Sequence, residues 1–324
     1  MVAMLSYSEL LRIQGVVPEM LTSSPDDYAA TQAHLDQTEL NPIEVRSFLE
    51  AQGIDYSPRV IAFASLKGGT GKTTSSVTTA VRAVDYGFRP CLLDLDSQGS
   101  ASLALGALPK DDDDVFVDVW QKPSESLPQA LIQHPSGVSI LPSSLDNSLL
   151  DVQLVSPNAQ KSAVREVCST VIKDDFDLIV IDCPPSLGTA VISTICAADV
   201  IVIPTNSDQF SLKAIELTLQ EINAICETFG LTVPSVKVLF TKFDKRVRLA
   251  HDTLEFLSTR YPEHLISPSI RTSSEYAKQL QVQKTVFAGR KKSVAREDYD
   301  CFVRELLQVK VSDHSQTGTR SEIF

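Results

Sequence analysis

The chain has 324 residues, 43% hydrophobic and 22% charged, which suits one large α/β domain plus an appended segment. No stretch approaches the ~18 apolar residues of a membrane-spanning helix, and MVAMLSYSELLRIQ lacks the basic and apolar regions of a secretory signal, so no membrane partner and a cytoplasmic location are expected. A formal net charge of −12 argues against nucleic-acid binding by bulk charge.

Residues 1–57 read as a helical segment, with amphipathic stretches near 6–14, 26–37 and 43–52. Asn41 is a suitable cap for the third and Pro42 suits its first turn. This segment holds nine acidic and two basic side chains, a net of −7. Gly53 and Pro58 punctuate a linker.

From Arg59 the pattern changes. Short β-branched runs at 60–65, 90–96, 138–144, 177–183, 199–204 and 236–242 alternate with helical stretches such as 73–87 and 211–230. Strands without polar alternation, separated by helices, predict an α/β fold over 58–310: a mostly parallel sheet with helices on both faces. Asp111 to Asp114 read as a solvated loop. The six cysteines form no CxxC pair and several sit in apolar runs, as buried thiols do. The polar residues 311–324 read as a flexible tail.

The strongest signal is Lys67-Gly68-Gly69-Thr70-Gly71-Lys72-Thr73-Thr74, between a predicted strand and a predicted helix. That is the context of a P-loop. Its glycines let backbone N–H groups converge on an anion, and the helix N-terminus favours negative charge there. Lys72 suits the β- and γ-phosphates of ATP, and the Thr73 hydroxyl suits Mg2+. Two further strands carry acids. Asp94 and Asp96 lie two apart, on one face of an extended strand. Asp182 ends the run DLIVID, where ligands bind in open parallel sheets. An acid there is costly to bury unpaired, and a nearby magnesium shell accounts for it.

KGGTGKTT resembles the deviant Walker A motif of the ParA/MinD/NifH superfamily of P-loop NTPases. DLDSQGSAS is similar to the family's DLDPQGNAT block, and IDCPPSLG to its IDxPPxLG block; Ser97 departs from the family's frequent proline. Further similar blocks extend from about Val60 to Glu305. The resemblance implies an ATPase that closes as a nucleotide-sandwich homodimer. It implies that Lys67 acts in trans on the partner's nucleotide, that Asp96 positions the attacking water, and that Asp94 and Asp182 support Mg2+. Thr241 to Asp244 would lie near the adenine base.

ParA-type members bind DNA without sequence preference when dimeric with ATP, and a ParB-like centromere-binding protein stimulates their hydrolysis. Residues 241–296 hold twelve Lys/Arg and five Asp/Glu, a net of +7. Lys242, Lys245, Arg246, Arg248, Arg271, Lys278, Lys284, Arg290, Lys291, Lys292 and Arg296 are therefore candidates for a non-specific, salt-sensitive DNA contact, implying nucleoid association. The acidic N-terminal segment opposes a phosphate backbone and suits dimerisation or an adaptor role. The alternatives are an ATPase that positions a protein cargo or acts at a membrane, and a nucleotide-regulated autorepressor.

Overall fold

The computed structural model describes residues 5–17, 20, 39–173, 176–208, 211–289 and 292–311. In chain order these form β1 (Leu5–Ser6), α1 (Tyr7–Leu10), β2 (Glu39–Leu40), α2 (Pro42–Ala51), β3 (Arg59–Phe63), α3 (Lys72–Asp85), β4 (Pro90–Asp94) and α4 (Ser100–Ala104). Then come α5 (Phe116–Val119), α6 (Pro123–Ala130), β5 (Ile132–Gln133), β6 (Ser139–Leu141), a 3-10 turn (Leu145–Leu149), α7 (Leu150–Gln153) and α8 (Pro157–Lys173). The rest are β7 (Leu178–Asp182), α9 (Thr189–Ala197), β8 (Val200–Thr205), α10 (Ser211–Phe229), β9 (Ser235–Phe240), α11 (Arg248–Arg260), β10 (Leu265–Ile266), α12 (Glu275–Gln281) and α13 (Val294–Leu306).

Among the described residues, eight strands form one sheet in the order β10-β9-β8-β3-β7-β4-β6-β5. Its pairs are parallel except β5 against β6. Alternation along each strand fills both faces. Ile61 and Phe63 of β3 join one apolar cluster, with Val77, Val81, Phe302 and Val303 from α3 and α13. Val60 and Ala62 join the other, with Val164, Val167, Ile195 and Ile222 from α8, α9 and α10. Burial on both faces explains the unbroken apolar runs in the sequence. No helix among the described residues is long and apolar enough to cross a membrane.

The N-terminal segment differs from the three helices expected. Asn41 caps α2 as predicted: its Oδ1 accepts from Ile43 and Glu44 N–H at 3.0 Å, and Glu44 accepts from Asn41 N–H at 2.9 Å. The stretch at 6–14, however, is one helical turn followed by turns, tied by β1 to β2. The stretch at 26–37 lies outside the described residues, as do Arg290, Lys291 and the tail from 312. Leu5, Leu10, Ile13, Val45, Leu49 and Tyr56 are buried in the same cluster as α3 and α13. Below them Arg82 of α3 is fully buried among carboxylates. It donates to Asp300 Oδ1 and Asp85 Oδ2 at 2.8 Å each and to Glu9 Oε1 at 3.2 Å.

Candidate nucleotide site

In a parallel sheet all the strand C-termini lie along one edge, which brings together residues distant in sequence. Residues 64–71 leave β3 at that edge and turn into α3. Gly69 (φ +71°) and Gly71 (φ +95°) adopt the left-handed region that a side chain disfavours. A Cβ built on Gly68 or Gly69 meets nothing within 4 Å, so the loop borders open space. Lys72, 7% exposed, lies back along the loop, and its ammonium donates to the Lys67 carbonyl at 3.2 Å. Burial lowers its pKa, opposed by Asp182.

Thr73 follows on the first turn of α3, and its hydroxyl donates to Asp182 Oδ2 at 2.7 Å. Asp182 is fully buried, and its Oδ1 has no hydrogen-bond partner among the described residues. Burial, then the neighbouring Asp94, pushes its pKa up to about 8. Asp94 is its register partner across the β4–β7 pair. Asp94 is better satisfied, because Oδ2 accepts from the N–H and hydroxyl of Ser102 at 2.8 and 2.7 Å. Burial raises its pKa to about 6 and Ser102 opposes this.

The expectation that Asp94 and Asp96 share one face of a strand needs correction. β4 ends at Asp94, and Asp96 lies in the following loop, half-buried. Its Oδ1 accepts from Gln98 N–H at 3.0 Å, an Asx-type turn that ends the extended backbone. The loop is braced from the far side. The Ser143 hydroxyl donates to the Asp96 carbonyl at 2.7 Å, and the Asn147 amide donates to Ser143 Oγ at 2.7 Å and the Asp94 carbonyl at 3.3 Å.

Lys67 sits at the open side of the loop, ion-paired with Asp208 and near Asn206 Oδ1 at 3.5 Å. Both acceptors follow β8, in one of the blocks similar to the family, and the sequence assigns neither a role. Thr241 follows β9 and is 3% exposed; its hydroxyl is within bonding distance of the Thr70 and Thr205 carbonyls at 2.7 and 2.9 Å. That hydroxyl is occupied in bracing the loop. Asp244 lies two residues past Lys242 and binds Arg246 at 2.7 Å.

The residues present fit a divalent cation. An orphaned, deeply buried carboxylate oxygen beside a threonine hydroxyl is the donor set a hard cation prefers. Among the described residues no group of three or more His, Cys, Asp or Glu converges. A cation here therefore draws its other ligands from water and phosphate, as magnesium commonly does.

A family model described as an AAA domain matches residues 58–235. The cell division protein PomZ of Myxococcus xanthus is 28% identical over 294 residues, spanning 90% of this chain and 91% of PomZ. The chromosome partitioning protein ParA of the same organism is 24% identical, spanning 77% of this chain and 88% of that protein. The chain belongs to the ParA/MinD family of P-loop proteins. Among solved structures it resembles cobyrinic acid a,c-diamide synthase from Mycobacterium smegmatis, bound to an ATP analogue and magnesium. The TM-score is 0.65 at 25% identity, covering 78% of this chain and 95% of the other.

On this ParA/MinD frame the basic candidates separate. Lys245, Arg248, Lys278, Lys284 and Lys292 are exposed. Arg246 is paired with Asp244, and Arg271 is held by Asp298 and Glu297. Arg296 does not belong to an exposed basic face. Its side chain is 12% exposed, donating to Glu9 Oε1 at 2.8 Å and to the Gly289 carbonyl at 2.7 Å. Lys242 is turned onto the phosphate loop, with its ammonium 2.7 Å from the Gly69 carbonyl. Arg290 and Lys291 lie outside the described residues.

Proposed function

We propose that this chain is a magnesium-dependent ParA-type ATPase. In this reading ATP closes it into a homodimer that binds DNA without sequence preference, and hydrolysis, stimulated by a ParB-like partner, releases it. The observation that carries this reading is the Thr73 hydroxyl on the buried, half-satisfied Asp182, at the mouth of a glycine loop containing Lys72. ATP is the substrate. The loop amides and Lys72 bind its phosphates; Thr73 and Asp182 hold Mg2+, with Asp94 supporting the shell. When bound, the cation supplies charge neutralisation at the phosphoryl group. Asp96 orients the attacking water and accepts its proton.

Dimer closure draws support from exposed apolar residues beside this edge. Leu145, Leu149, Val152 and Val155 are all 48% or more exposed. The turn that carries the first two is bonded through Asn147 and Ser143 to the loop holding Asp94 and Asp96. In the closed dimer Lys67 leaves Asp208 and serves the partner's nucleotide. The DNA contact rests on Lys245, Arg248, Lys278, Lys284 and Lys292.

The match to PomZ gives a second reading its weight. PomZ is named as a cell division protein and aligns over 90% of this chain. The same switch would then position a protein assembly. One experiment tests the first reading. Binding to random-sequence duplex DNA is measured with ATP, ADP and no nucleotide, at two salt concentrations, alongside phosphate release. ATP-dependent, salt-sensitive binding together with turnover, both lost in Lys72→Ala, is the expected result. Turnover without DNA binding transfers the output to a protein surface, and no nucleotide binding at all overturns the ATPase reading.

A further inference from the structure

We propose that Lys242 is a positioning residue of the phosphate loop, a charged clamp that sets the loop's anion-binding amides before nucleotide arrives. This rests on the ATP-binding reading above.

The backbone at Lys242 is held in an unusual shape. Its φ of +54° lies in the left-handed region, which few non-glycine residues adopt. Both neighbours are pinned: Thr241 N–H donates to the Thr205 carbonyl at 2.6 Å, and Phe243 N–H donates to the Ile270 carbonyl at 2.9 Å. The kink between these anchors turns the Lys242 side chain back toward the edge of the sheet. There its ammonium meets the Gly69 carbonyl at 2.7 Å, a charge-assisted bond on the residue whose φ is +71°.

Peptide planarity gives that bond a consequence. The carbonyl of Gly69 and the N–H of Thr70 belong to one planar trans unit and point in opposite directions. Holding the carbonyl outward, toward β9, directs the Thr70 N–H the other way. Thr241 does the same to the next unit, since its hydroxyl on the Thr70 carbonyl directs the Gly71 N–H away from β9. Two consecutive residues just past β9 thus set two consecutive amides of the loop. Successive backbone N–H groups aimed to one side form an anion-binding concavity. Loop glycines make such a shape accessible but not obligatory, because glycine loses the most conformational freedom on ordering. A clamp that orders the loop in advance lowers that cost on binding. Lys242 also sits close enough to depress the pKa of Lys67, after the larger effect of burial, so its charge reaches the same pocket.

The interaction is made before substrate arrives and does not depend on the terminal phosphate. It therefore strengthens ADP and ATP binding alike and leaves the chemical step alone. The test compares the full chain with Lys242→Met and Lys242→Arg. Nucleotide affinity is measured for ATP and ADP with Mg2+, and amide hydrogen exchange is followed across residues 67–72 without nucleotide. Lys242→Met is expected to melt at the wild-type temperature and to exchange several-fold faster in the loop. It should bind both nucleotides on the order of tenfold more weakly, with kcat at saturating ATP little changed and most of the affinity restored in Lys242→Arg. Wild-type exchange and affinity in Lys242→Met overturn the clamp. A loss for ATP alone also overturns it, by placing Lys242 on the terminal phosphate. If the wild-type chain binds no nucleotide, the ATPase reading fails, and the exchange measurement alone decides on the clamp.

Discussion

Asp94 and Asp182 stand side by side as register partners at the ends of β4 and β7, both fully buried, yet only Asp94 has donors for both oxygens. Two adjacent buried acids disfavour each other's charge. In the proposed site the better hydrogen-bonded acid, Asp94, is a brace, and Asp182 is the open ligand. Burial and Asp94 already favour the neutral form of Asp182 without a cation, so Asp182→Asn keeps the uncharged state and the nucleotide-free protein should unfold at the same denaturant concentration as wild type or higher. Its affinity for ATP with Mg2+ should fall about tenfold or more, while its affinity in EDTA stays near wild type. An Asn variant that still responds to Mg2+ would show that the cation binds elsewhere.

The exposed apolar turn leads to a second expectation. Leu145 and Val152 are each 71% exposed, and covering a Leu or Val side chain contributes roughly 1.5–3 kcal/mol at most. In the proposed dimer, Leu149→Glu with Val152→Glu places charge in that contact. Light scattering of an Asp96→Ala background with ATP should then give monomer in place of dimer, with ATP affinity unchanged. Dimers that persist would move the interface to another face.

The proposed DNA contact is separable by salt. Replacing Lys245, Lys278, Lys284 and Lys292 by Glu should weaken ATP-dependent DNA binding. For every phosphate that is no longer neutralised, the slope of log affinity against log salt should become shallower by about 0.9. Arg296→Glu should instead lower stability without changing that slope per unit of folded protein, because its guanidinium is bonded to Glu9 inside the fold.

The contrast between Arg296 and Lys245 shows where the sequence is legible. The six predicted central strands, α3 and α10 are all present, because unbroken β-branched runs and 3.6-residue periodicity report burial directly. The phosphate loop and Asp182 are legible for the same reason, since each follows an apolar strand that fixes which end of the sheet it reaches. Side-chain direction is not written in this way. Lys242 and Arg296 look like any other basic residues in a basic stretch, yet the first, at a left-handed backbone, is bonded to the Gly69 carbonyl and the second to the half-buried Glu9. Ser102, Ser143 and Asn147 carry no such signal, because their partners are Asp94 and backbone groups that only the fold brings to them. Periodicity places a helix near 6–14 but overruns it: α1 is a single turn, and Leu10 and Ile13 are buried in the cluster that α3 and α13 share.

That packing centres on Arg82. It contacts Glu9, Asp85 and Asp300 at 3.2, 2.8 and 2.6 Å with 1% of its side chain exposed. Arg82→Met leaves three carboxylates around an apolar side chain, and breaking a buried pair this way costs about 3–5 kcal/mol. Urea unfolding should show a loss of that size. Glu9→Gln should cost less, since Asp85 and Asp300 still face Arg82. It should raise hydrogen exchange first in residues 5–17, because Glu9 is the N-terminal segment's carboxylate on both Arg82 and Arg296. A uniform rise across the whole protein would mean the segment does not loosen separately.

Asp85 makes the same cluster sensitive to pH. Burial pushes its pKa up to about 6; Arg82 opposes that rise, Glu9 adds to it, and Arg296 opposes it. Its Oδ1 has no hydrogen-bond partner among the described residues. The unfolded value is near ~3.9, so the folded state holds this proton more tightly. Stability from that proton is fully present below about pH 4 and is lost as pH rises through about 6, a change of roughly 2–3 kcal/mol. Glu9 and Asp300 run the other way. Burial raises each, but Arg82 and the other neighbouring donors outweigh it and hold both below their ordinary values. Their contribution is present above the unfolded pKa and is lost only as pH falls through the lower folded value. The two effects therefore occupy different windows. Comparing wild type with Asp85→Asn by urea unfolding at pH 4.5, 5.5, 6.5 and 7.5 isolates the first. Asp85→Asn should gain on wild type steadily from pH 4.5 to about 6.5 and then hold its advantage. A difference independent of pH would mean that Asp85 keeps its charge throughout, with Arg82 outweighing burial.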